Sequence, residues 1–137
     1  MNRTTLKYEL DLDFVLIAIT APLKDYRLCF KINKELQINL SRVDDLEIAF
    51  NKDPCYFSRY SFTDSDTEVE FNLLANKGTE GFLITEMKKV DFFLLIHNYI
   101  DHDDLKEVIA GLNRIPEVAV AAEVDPKKLK SKENLII

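Results

Sequence analysis

The chain has 137 residues, 47% of them hydrophobic and 10% aromatic, which is the make-up of one globular domain (1–137). A domain of this size buries about two-thirds of the surface its unfolded chain exposes, so no metal or disulfide staple is required. A net charge of −6 opposes general binding to nucleic-acid phosphates, and three glycines leave little for a glycine-built phosphate loop.

Leu6, Tyr8, Leu10 and Leu12 alternate with Lys7, Glu9 and Asp11, the pattern of a strand with one buried face. Residues 14–19 are apolar throughout, and a short buried strand is the preferred reading over a buried helical turn. This run falls far short of the ~20 apolar residues of a membrane helix. Acidic rather than basic residues precede it, unlike a signal peptide, so a cytoplasmic protein with reduced Cys29 and Cys55 and no membrane partner is expected.

Thr20-Ala21-Pro22 reads as a helix start, and a helix over about 22–36 places Leu23, Tyr26, Cys29, Phe30 and Asn33 on one stripe, with Leu36 at its end. Residues 38–48 read as a connector with a helical turn or short strand, and residues 51–54 as a turn. Residues 55–62 and 68–75 form a hairpin around Thr63-Asp64-Ser65-Asp66, with Val69, Phe71, Leu73 and Ala75 buried and Glu68, Glu70 and Asn72 solvated. Residues 82–87 and 90–97 are two further strand-like runs. The second carries Val90, Phe92, Leu94 and Ile96 on one face and Phe93 and Leu95 on the other, so it belongs at the centre of a sheet covered on both sides.

A helix over 102–113 follows, with Leu105, Val108, Ile109 and Leu112 at the spacing of a buried stripe and Asp103 and Asp104 in its first turn. Residues 117–124 alternate as a last strand. If 90–97, the helix and 117–124 form a crossover, the two strands run parallel. The final residues are basic, then apolar at Leu135, Ile136 and Ile137, which should dock on the body of the domain. The expected fold is α+β: an antiparallel-rich sheet, made of a four-strand meander over 55–97 plus the terminal strand 117–124, with helices about 22–36 and 102–113 packed on it.

Ile84-Thr85-Glu86-Met87-Lys88-Lys89-Val90-Asp91-Phe92 resembles the signature of the bacterial IPExxxVDY family, matching at Ile84, Glu86, Val90 and Asp91. Thr85 stands where that family has proline and Phe92 where it has tyrosine. Asp25 to Cys29, Ala75 to Lys77 and Lys127 to Leu135 resemble its flanking segments, so the resemblance spans most of the chain. It implies a bacterial protein, and the resemblance carries over no activity. The missing tyrosine hydroxyl removes the most reactive group from the signature.

The candidate sites are few. His97, Asp101 and His102, with Asp103 and Asp104, could hold a divalent ion, but no further ligand from elsewhere is identifiable, and an acid-rich helix cap is the simpler reading. Glu86 and Asp91 are either paired carboxylates or turn acids, and the turn reading is preferred. Asp25, Tyr26 and Arg27 read as a core anchor with flanking charge. Tyr56, Tyr60 and Phe62 read as one packed hairpin face, with Arg59 on the other, rather than a base-stacking platform. Lys127, Lys128, Lys130 and Lys132 put four lysines in six residues and make the one basic segment that could meet nucleic acid or an acidic partner. No cofactor is expected. The leading expectation is a non-catalytic interaction or accessory module with a protein partner, a second copy of itself included. The alternatives are a small-metabolite sensor and a metal protein or enzyme using His97 and His102.

Overall fold

A strand apolar on both faces must have something on each, and in the computed structural model, which describes residues 12–50 and 52–137, the two coverings differ in kind. Six strands, β1 (Val15–Thr20), β2 (Ser41–Phe50), β3 (Asp53–Thr63), β4 (Glu70–Ala75), β5 (Phe92–His97) and β6 (Val120–Val124), form one sheet in the order β2-β3-β4-β5-β1-β6. Every neighbouring pair is antiparallel. Helices α1 (Asp25–Leu36) and α2 (His102–Arg114) cover one face. The expected α+β architecture is thus present.

On the helix side, Phe92, Leu94 and Ile96 of β5 join Ile17 and Ile19 of β1, Phe71 and Leu73 of β4, Leu28 and Ile32 of α1 and Leu112 of α2. On the far side, Phe93 and Leu95 join Leu16, Phe57 and Leu74 beneath Leu83 and Ile84 of the β4–β5 connection and Leu129 and Leu135 of the C-terminal segment. Each fully buried leucine or isoleucine contributes roughly 1.5–3 kcal/mol of transfer free energy, so the loop and tail are as much a part of the core as the helices. β1 lies between β5 and β6 and is antiparallel to both, so those two strands run the same way, as expected, but are not adjacent.

Several expectations need correction. Residues 82–87 are not a strand. They make one bridge, Lys77 to Phe82, and a 3-10 turn, Thr85–Met87. The reason is Asn76, fully buried, whose side chain accepts the Ile84 N–H at 2.8 Å and donates to the Met87 and Val90 carbonyls at 2.9 and 2.8 Å. A side-chain amide thus satisfies backbone groups that a strand partner would otherwise satisfy. The fourth strand of the meander is instead β2, lying in the region read as a connector. β2 is an edge strand whose pairing with β3 breaks between Val43 and Leu46, where Asp44 and Asp45 stand. That shift breaks the alternation on which a sequence reading depends.

Helix α1 starts at Asp25, beyond Pro22, and is rotated from the expected phase. Leu28, Cys29 and Ile32 are buried, whereas Tyr26 is 61% and Phe30 67% exposed. Asn72 is buried rather than solvated, donating to Glu70 at 2.8 Å and accepting from Arg59 Nε at 3.2 Å. Leu135 docks fully, but Ile136 and Ile137 remain exposed. The strand expected through Leu6, Tyr8 and Leu10 lies outside the described residues. Residues 14–19, the β3–β4 hairpin, α2 with its stripe and the last strand are found as expected.

Candidate functional site

The signature segment is built as a clasp. Glu86 accepts the Lys130 and Ser131 N–H groups and the Ser131 hydroxyl, the last at 2.8 Å, while Asn134 Nδ2 donates to the Leu83 carbonyl at 2.8 Å. Burial pushes the Glu86 carboxyl up, but the hydrogen bonds from Ser131 and Lys130 outweigh it and hold the pKa at about 2. Asp91 turns elsewhere, its carboxylate accepting the Ala21 N–H at 2.7 Å just ahead of α1. Glu86 and Asp91 therefore fasten two different segments. Ile84 and Phe92 are buried in opposite cores. The lysine run is the clasped segment itself: Lys127, Lys128 and Lys130 are exposed and Lys132 half-buried, while Leu129 among them and Pro126 and Leu135 on either side are buried.

The histidines do not converge. His97 ends β5 on the face away from the helices, its ring 5.2 Å from that of Phe14, while His102 is exposed at the first residue of α2. Asp101 caps α2, accepting the Asp104 N–H at 2.9 Å. Among the described residues no group of three His, Cys, Asp or Glu side chains could hold a metal ion. Of the hairpin aromatics, Tyr60 and Phe62 pack into the helix-side core, Tyr56 is exposed and Arg59 binds Asn72 on the other face. The Tyr60 hydroxyl donates to Asp25 at 3.2 Å, beneath the Arg42 guanidinium. Asp25 thus serves the core edge and Tyr26 is no anchor.

A cleft of about 490 Å³ opens between the end of α1, the β3–β4 turn and α2. Its floor holds six apolar side chains, Leu36, Ile38, Val69, Phe71, Ile100 and Val108, all continuous with the helix-side core. Each wall has a local cause. Asp64 closes the β3–β4 turn, its side chain accepting the Asp66 N–H at 2.9 Å and its backbone pairing with Val69 and Glu68. Asn98 and Tyr99 both adopt left-handed backbone (φ 67° and 59°), and that sharp reversal into α2 leaves Tyr99 80% exposed at the mouth. Gly111 lets the helices close behind the cleft, since a Cβ there would lie 2.6 Å from Leu36 Cδ2. Arg114 Nε donates to Glu35 at 2.9 Å across the two helix ends.

Of the candidate site residues read from sequence, only Asp101 and its neighbour Asp104 line this cleft, beside Leu36, Val69, Phe71 and Val108, which were read as core. Tyr99, Glu35 and Arg114 had no local signal, because they meet only when the β5–α2 reversal and the crossing of α1 and α2 are in place. No family model matches the chain, and no curated protein matches it.

Proposed function

We propose that this protein is a non-catalytic interaction module that holds a segment of a partner protein in the cleft between its helices and the β3–β4 turn. The observation carrying this reading is an open concavity with six apolar floor residues and a polar rim, the anatomy of a binding patch. The buried cysteines support the same reading and a reducing, cytoplasmic setting, since Cys29 and Cys55 belong to opposite cores and burial pushes the Cys29 thiol pKa up. Membership of the IPExxxVDY family is part of the proposal, supported by the distinct fastening roles of Glu86 and Asp91 at the signature. The test places a photocrosslinking residue at Tyr99 and captures partners of the native protein with and without Val108→Arg, which fills the cleft. One partner should crosslink reproducibly and disappear in the Val108→Arg protein. An undiminished crosslink in that variant would sink the reading.

A second reading, a small-metabolite sensor, is favoured by the cleft's volume, which falls within the roughly 300–1,000 Å³ of small-molecule sites. A melting temperature raised several degrees by one metabolite, and not in Val108→Arg, would select it.

A further inference from the structure

The cleft carries more negative charge than its own cation can match. Glu35, Asp64, Asp101, Asp104 and Glu107 line it against the single guanidinium of Arg114, which is bonded to Glu35. Among the described residues no lysine or arginine forms an ion pair with the other four. At the start of α2 the Asp104 N–H holds the Asp101 carboxyl pKa down, while the Asp101 charge, followed by partial desolvation, pushes that of Asp104 up. Crowded carboxylates without counter-charges gain from any cation brought among them. A bare cation, however, would leave the floor of Leu36, Ile38 and Val108 in water, and a purely apolar segment would leave the rim uncompensated.

Resting on the reading of the cleft as an interaction site, we infer that its occupant is a partner-protein segment in which lysine or arginine side chains are interspersed among apolar ones. The apolar side chains cover the floor and the cations meet Asp64, Asp104 and Glu107 on the rim. This division gives affinity to the floor and selectivity to the rim.

The experiment is fluorescence anisotropy of a labelled peptide, Leu-Lys-Leu-Leu-Lys-Leu, beside its glutamine counterpart, with the full chain. The lysine probe should bind about tenfold more tightly, and added salt should narrow the gap. Asp104→Asn with Glu107→Gln should weaken the lysine probe about fivefold, whereas Glu47→Gln with Glu133→Gln, the same charge change outside the cleft, should not. Val108→Arg should abolish binding while the melting temperature shows the protein still folded. Equal binding of both probes that is lost in Val108→Arg would overturn the inference and leave the cleft reading standing. Lysine-probe binding untouched by Val108→Arg would overturn both. Spermine binding as tightly as the lysine probe and displacing it would overturn the inference in favour of a small polycation. Self-association by light scattering, broken by the rim variants, would overturn it in favour of a second copy.

Discussion

Replacing Asn76 by alanine isolates the group on which the far side of the sheet depends. The side chain donates to the Met87 and Val90 carbonyls and accepts from the Ile84 N–H, and Asn76 is fully buried. The Met87 carbonyl keeps the Val90 N–H at 3.1 Å, so two backbone groups, the Ile84 N–H and the Val90 carbonyl, would lose their partners, at about 1–3 kcal/mol each, giving roughly 2–6 kcal/mol. Water entering the vacated amide volume re-pairs part of this, so the expected loss is about 2–4 kcal/mol, a large share of the ~5–15 kcal/mol that stabilises a domain. Urea unfolding followed by circular dichroism reads this as a lower midpoint with an unchanged slope. Hydrogen exchange should locate the loosening at residues 82–91, where Leu83 and Ile84 cover Phe93 and Leu95. A variant within 1 kcal/mol of wild type, with those amides still protected, would refute the account of the loop as one held by a side-chain hub.

Glu86→Gln should lower stability by about 1 kcal/mol at pH 7, discounted from the full linkage value because the carboxylate is largely exposed. Its folded pKa, about 2, lies below the unfolded value, so the carboxylate's contribution is present above ~4.5 and lost as pH falls through about 2. Melting curves of the two proteins should therefore converge over that window, and parallel curves would count against the clasp. Gly78→Ala should cost about 1–3 kcal/mol, because its Cβ would meet the Tyr56 carbonyl oxygen and Phe57 Cε2 at 2.7 Å, whereas Gly81→Ala, with only Phe50 Cε2 at 3.8 Å, should stay within about 0.5 kcal/mol. Phe30→Ser should shift the unfolding midpoint little, while Ile32→Ala should cost about 2–5 kcal/mol. The reverse order would restore the helix phase first expected.

The centre of the fold was legible because β5 and α2 announce themselves by what they bury. Phe92, Phe93, Leu94 and Leu95 leave no solvent face, and Leu105, Val108, Ile109 and Leu112 recur at helical spacing. Helix α1 misled for a physical reason: Tyr26 and Phe30 are apolar and correctly spaced, yet Leu28 and Ile32 form a competing stripe, and only the sheet beneath selects between them. At the candidate site, the acidic start of α2 was visible, while the floor was not. Leu36, Val69 and Ile100 belong to three segments, and nothing local marks them as neighbours.

Apolar patterning reports that a residue is buried, since hydrophobic transfer is non-directional and indifferent to the covering group. It therefore established a sheet with a two-sided central strand, two amphipathic helices and an apolar end to the chain. It could not say that the second face is closed by a loop and a tail. That closure rests on directed hydrogen bonds from Asn76 to Ile84 and from Ser131 to Glu86, the latter across 45 residues. Such bonds need donor and acceptor at fixed distance and angle, a condition met only once the tertiary fold has brought them together.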